Sequence, residues 1–135
     1  MKTELIAETW GALGADQQAF IEAFYARFFE RFPDYRPLFP KELNPAHLAK
    51  MVQTMALLAH LSEERGVISP HMHRVGFAHR PYDLSAEDLA NFKTTFVGLL
   101  GERLGAGWSD AAAAAWMQAF DEVLIPLLSE GMRSA

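Results

Sequence analysis

Apolar residues recur at helical spacing along nearly the whole chain, and the stripes are separated by glycine, proline and capping residues. Leu5, Ile6, Thr9, Trp10 and Leu13 share one face of a first segment, about 3–13, that stops near Gly14. Asp16 is placed to cap a second helix, which carries Phe20, Phe24, Tyr25, Phe28, Phe29 and Phe32 and ends at Pro33. Three prolines, Pro33, Pro37 and Pro40, make the next stretch irregular. Asn44-Pro45 reads as an N-cap with proline in the first turn, opening a long helix to about Arg65 that Gly66 closes. Ser69-Pro70 repeats the start signal for a short helix that ends after His79, before Pro81. Ser85-Ala86-Glu87-Asp88 resembles a capping box for a helix over about 86–104. Ser109 caps the last one, about 110–129, in which Pro126 should produce a kink. The expected class is all-α.

Composition agrees with that pattern. Ala and Leu total 37 residues against 14 for Val, Ile and Thr, so good helix formers dominate. The run Ala111 to Ala115 reads as a helix interior packed closely on its neighbours. The 135 residues fit one domain, expected to span 1–135, and 50 % hydrophobic residues suffice for a core. Cysteine is absent, which excludes disulfides, thiolate metal sites and thioether-linked cofactors. A net charge of −5 argues against nucleic acid or an anionic membrane as partner. No apolar run approaches the ~18 residues of a membrane span, so no transmembrane helix is expected, and the N-terminal residues do not read as a signal peptide, so a cytoplasmic location is expected. Phosphate-loop, dinucleotide-binding and nucleophile-elbow motifs are missing.

The histidines are the chemical candidates. At about 100° per residue, His60 lies roughly 220° around its helix from His47, so the two cannot share a face, and His60 reads as solvated. His79 falls about 20° from Met72 and about 40° from Val75, on their apolar side, whereas His73 points about 120° away and reads as surface. His71, in the first turn, is compatible with either environment. A buried imidazole needs a partner, and a backbone carbonyl or a metal ion would serve. No second histidine or acid lies at i+4 on the inward face, which disfavours a zinc site.

The string Phe24-Tyr25-Ala26-Arg27-Phe28-Phe29-Glu30-Arg31-Phe32-Pro33-Asp34, followed by Leu38-Phe39, resembles the second helix and following corner of a globin. Fourteen residues separate Tyr25 from Phe39, and thirty-two separate His47 from His79, both intervals of that family. His79-Arg80-Pro81-Tyr82-Asp83-Leu84-Ser85-Ala86-Glu87 is similar to the loop after the family's proximal ligand, and Trp10 and Trp116 sit where it often places aromatics. The resemblance covers essentially the whole chain and is greatest to bacterial single-domain globins and the haem domain of flavohaemoglobins.

This resemblance implies a three-on-three helical sandwich around a haem b. His79 would be the proximal iron ligand, with its Nδ1–H held by a backbone carbonyl. Phe39 would stack on the porphyrin, Met51 and Met55 would press on the distal face, and Lys50 would meet a propionate. Val75, Leu84, Leu89, Phe92 and Phe96 would line the slot. Tyr25 and His47 would donate hydrogen bonds to a negatively polarised ligand, favouring O2 over CO. The implied function is reversible binding of O2, with CO and NO as further ligands, by a monomer or weak homodimer. The alternatives are a nitric-oxide dioxygenase, for which the chain as given would need an external reductase, and a gas-sensing or six-coordinate electron-transfer globin with His47 on the iron. The family's proximal tyrosine, ten residues after the ligand histidine, is Leu89 here, and Glu130 stands near the place of its glutamate partner.

Overall fold

The computed structural model describes residues 2–133, among which there are seven α-helices and no strand. They are α1 (Thr3–Ala12), α2 (Gln17–Arg31), α3 (Pro45–Leu61), α4 (Arg65–Ala78), α5 (Ala86–Leu104), α6 (Asp110–Ala119) and α7 (Ile125–Met132). Three caps form as the sequence indicates. The Asn44 side chain accepts from His47 N at 2.8 Å, the Ser109 hydroxyl accepts from Ala112 N at 3.1 Å, and Ser85 with Asp88 closes a full capping box. Asp16 does not act as a side-chain cap, because a 3₁₀ turn over Gly14–Asp16 runs directly into α2.

The boundary between α3 and α4 differs from the sequence expectation. α3 stops at Leu61 rather than near Arg65, and α4 starts four residues before Ser69. Burial of Ile68 and Met72, an i,i+4 pair, draws the earlier residues into the helix, and the Glu64 carbonyl accepts from Ile68 N at 3.0 Å. Pro70 is therefore interior. The carbonyl it cannot serve belongs to Gly66, which is exposed and open to water, so the cost of an interior proline is low.

Pro126 does distort the last helix, through a π-helical turn over Phe120–Leu124 that joins α6 to α7. The proline lacks the N–H that the Glu122 carbonyl would have accepted, and Arg65 Nη2 donates to that carbonyl instead, at 3.2 Å. The resulting rod, Asp110–Met132, is long and apolar enough by length and composition to cross a membrane, although polar residues interrupt every apolar run. Half of its apolar window is buried against the other helices.

The helices form two layers, α1, α3 and α4 over α2, α5 and α6–α7, tied by α1 against α6, α2 against α3, and α4 against α7. Trp10, Phe20, Phe24, Phe96, Trp116 and Phe120 fill the centre, fully buried. Phe96 is the hub, with ring centroids 5.3 Å from Phe20, 5.5 Å from Trp116 and 5.6 Å from Phe120. Trp116 Nε1 donates to Thr9 Oγ1 at 2.7 Å, linking the last helix to the first.

The closest helix pair is α4 with α7. A Cβ on Gly76 would collide with the Leu128 carbonyl, and one on Gly131 with the His73 backbone, so both glycines are required by the approach of two backbones. Gly131→Ala is expected to destabilise the protein by ~1–3 kcal/mol through overpacking. Gly98→Ala, on the exposed side of α5 with open space around it, should stabilise by ~0.5–1 kcal/mol. Thermal unfolding of the two variants distinguishes these effects; equal shifts would show that α4 and α7 do not meet backbone to backbone.

Candidate functional site

Between the two layers lies an apolar cavity of about 450 Å³, within the ~300–1,000 Å³ typical of small-molecule sites. Eleven of the twelve sequence-derived candidates line it. Tyr25, Phe39, His47, Met51 and Met55 come from α2, the proline-rich corner and α3, and Lys50 stands exposed at the rim. Val75 and His79 face them from α4, while Leu84, Leu89 and Phe92 close the side formed by the following loop and α5. Phe96 is the exception. It lies one turn beyond Phe92, behind the cavity wall, where the tryptophans and phenylalanines of the core enclose it.

His79 caps the C-terminus of α4, where Pro81 and a 3₁₀ turn over Arg80–Tyr82 end the helix. Its Nδ1 donates to the Val75 carbonyl at 2.7 Å, so Nδ1 carries a proton and Nε2 is the nitrogen left without a protein partner on the cavity lining. The remaining histidines sort by helix face. His60 is exposed, and His73 meets Glu130 at 2.8 Å on the outside of α4 and α7. Glu130 therefore engages the outward histidine of α4. His71 is half-buried and pairs with Thr54 Oγ1 at 3.0 Å across the α3–α4 contact; burial pushes its imidazole below the usual histidine range.

On the opposite side of the cavity, the Tyr25 hydroxyl and His47 Nε2 stand 3.3 Å apart. Tyr25 is held edge-on to Phe24 and Phe39, at 5.2 and 5.4 Å. Burial pushes its phenol up to about 12, so it carries its proton at neutral pH. Burial, with a smaller contribution from the Lys50 charge, lowers His47 and favours its neutral form. The pair is thus uncharged and polar within an apolar surround.

Several contributors were not singled out from the sequence. Tyr35 stacks on Phe28 at 4.8 Å, donates to Asp88 Oδ1 at 2.6 Å and accepts from Asn91 Nδ2 at 3.0 Å. That hydrogen bond, with the capping contact from Ser85, holds the Asp88 carboxyl below its ordinary range and ties the proline corner to the start of α5. Leu124 and Leu128 reach the cavity from the last helix. Their i,i+4 spacing is visible in the sequence, but the π-helical turn that sets their facing is not.

A family model described as Globin matches residues 22–126, most of the chain, and the chain belongs to the globin family. Extracellular globin-E1 of Artemia sp. is 28% identical over 144 aligned residues, which cover 100% of this chain and 70% of that protein. The two-layer helical arrangement is accordingly the globin fold, and the family's haem-binding and gas-binding character comes with membership.

The cavity fits such a group. Among the described residues no set of three histidine, aspartate or glutamate side chains could hold a bare metal ion. One imidazole would suffice for an iron whose remaining protein-independent ligands are supplied by a macrocycle, and the apolar walls would suit such a disc. Tyr25 carries a measurable consequence. Between the ordinary phenol value of 10.0 and about 12, the unfolded chain releases this proton while the folded chain keeps it. Stability should therefore fall as pH rises across that window, by ~2–3 kcal/mol on complete titration. Tyrosine-selective ¹³C NMR against pH should show Tyr25 and Tyr35 titrating late, Tyr35 through burial and its bond to Asp88; the resonance that Tyr25→Phe removes should titrate near 12, and its titration near 10 would mean that Tyr25 is wet.

Proposed function

We propose that this chain is a reversible O2-binding haem b globin of the kind represented by bacterial single-domain globins and flavohaemoglobin haem domains. The observation that carries the reading is the Tyr25–His47 pair, 3.3 Å apart, on the cavity wall opposite His79. Haem iron, when bound, would supply reversible binding of diatomic gases. His79 Nε2 would hold the iron, with the Val75 carbonyl fixing the ring's rotation. Phe39 would pack on the disc, Met51 and Met55 would keep water out, and Lys50 at the rim would meet a porphyrin carboxylate.

Tyr25 and His47 determine ligand preference. A neutral phenol and a neutral imidazole share one hydrogen within their 3.3 Å contact and leave a donor for a ligand without bringing a net charge into the cavity. O2 in such a site takes on negative polarisation and is stabilised by these donors, whereas CO gains less. Tight holding suits scavenging, sensing or storage of O2.

The residue behind His79 favours binding over oxidation of nitric oxide. A carboxylate on Nδ1 would raise the basicity of the ligand imidazole, but here the acceptor is the Val75 carbonyl, Leu89 replaces the family's proximal tyrosine, and Glu130 bonds to His73 on the outer face. Dioxygenase turnover would further require a supply of electrons to the iron.

Tyr25→Phe keeps the ring and deletes the donor. A hydrogen bond to a charged acceptor is worth roughly 1.5–3 kcal/mol, so O2 dissociation should accelerate about ten- to a hundredfold. Stopped-flow displacement of O2 by CO measures this rate, and CO dissociation should change far less. An O2 rate within about twofold of the parent, under roughly 0.5 kcal/mol, would remove Tyr25 from the ligand site.

A further inference from the structure

We propose that Arg36 is a positioning residue for the ligand-side pair, acting from outside the cavity through Phe29 and the backbone of the proline-rich corner; this rests on the haem-pocket reading above. Arg36 belongs to the 3₁₀ turn over Pro33–Leu38, and its side chain folds forward over the residues that follow. Nη1 donates to the carbonyls of Phe39, at 3.4 Å, and Pro40, at 2.9 Å, and Nη2 donates to the carbonyl of Lys41. Three successive carbonyls outside any helix are thus gathered by one planar, permanently charged fork. The segment they belong to leads from Phe39 to the Asn44 cap of α3, and His47 sits in the first turn of that helix. Fixing the corner fixes where α3 begins.

The same guanidinium lies over the Phe29 ring, 5.1 Å from its centroid. Phe29 stacks with Tyr25 at 5.9 Å and meets Phe39 at 5.0 Å. Tyr25, Phe39 and His47 complete the set, with Tyr25 5.6 Å and Phe39 6.2 Å from the His47 ring. Arg36 therefore stands at the outer end of a continuous group of rings whose inner members are the ligand-facing pair.

A second, more open cavity of about 260 Å³ lies on this outer side, lined by Arg36, Phe29, Lys41, Leu43, Leu48 and the back of Tyr25. Tyr25 lines both this cavity and the larger one. The Arg36 clamp holds the corner and Phe29 together on the outer side of Tyr25's ring contacts. A lysine at this position keeps the charge but cannot span three carbonyls and a ring face together.

The test compares Arg36→Ala, Arg36→Lys and a control, Arg27→Ala, in the full-length haem-loaded protein. Arg27 pairs at the surface with Glu102 at 2.8 Å, so its loss removes a charge of the same sign from the neighbouring helix. Three quantities are read: O2 dissociation, the C–O stretching band of the CO complex, and the Tyr25 titration by ¹³C NMR. Arg36→Ala should speed O2 release roughly three- to tenfold, about 0.7–1.4 kcal/mol. It should also broaden or split the C–O band and move the Tyr25 titration down from about 12 towards 10.0. Arg36→Lys should recover part of each change, and Arg27→Ala should match the parent.

A lowered melting temperature with unaltered O2 release, C–O band and Tyr25 titration would overturn the proposal and leave Arg36 a purely structural residue. If Arg36→Ala does not fold, Arg36→Lys alone is decisive, since intermediate values support the clamp and parental values contradict it. If the parent chain takes up no haem, the pocket reading fails. The Tyr25 titration then decides the clamp on its own, by shifting or staying in Arg36→Ala.

Discussion

A single hydrogen bond, from His79 Nδ1 to the Val75 carbonyl one turn earlier, organises the chemistry of this fold. It engages Nδ1, makes Nε2 the nitrogen left to a ligand, sets the ring's rotation and is possible because the two residues lie one turn apart at the end of α4. That turn exists in its observed place because Gly76 and Gly131 let α4 and α7 approach at backbone contact, and because Pro81 prevents the helix from continuing. Packing at the back of α4 therefore determines what the imidazole at its end presents to the cavity.

The opposite wall is built on a different principle. α2 and α3 bring the Tyr25 hydroxyl and the His47 imidazole together among aromatic rings and methionines, with Lys50 and Thr54 of α3 also on the cavity lining. Burial keeps both groups neutral, so the wall can donate hydrogen bonds without the desolvation cost of an ionised side chain. The two walls meet at the proline corner and the start of α5, where Tyr35, Asp88, Asn91 and Ser85 form a closed polar knot. A cavity with one imidazole on one side and two neutral donors on the other gives directionality to any ligand held between them.

Much of this was legible in the sequence because it depends on spacing. The intervals between Tyr25, Phe39, His47 and His79 are read by counting residues, and the angular relation of His79 to Met72 and Val75 follows from helix geometry alone. Local signals failed where tertiary burial outweighed them. Ser69-Pro70 reads as a helix start, yet Ile68 and Met72 are buried as a pair and extend α4 backwards. Phe96 continues the stripe of Leu89 and Phe92, but that stripe turns from the cavity into the core one turn later. Arg36 and Tyr35 were invisible for another reason. Their partners lie in loop carbonyls or 53 residues away at Asp88, and no periodicity marks such contacts.

The most direct test of the account is a titration of the haem-free protein with ferric haem, followed by reduction and exposure to CO, in the parent and in His79→Ala. Parent protein should take up haem to one equivalent per chain, give a sharp Soret band, and shift it on reduction and again with CO. His79→Ala should hold haem weakly and lack the ferrous histidine-ligated spectrum. A parent chain that binds no haem, or a His79→Ala protein with the parental ferrous spectrum, would contradict the assignment of His79 as the residue that holds the iron.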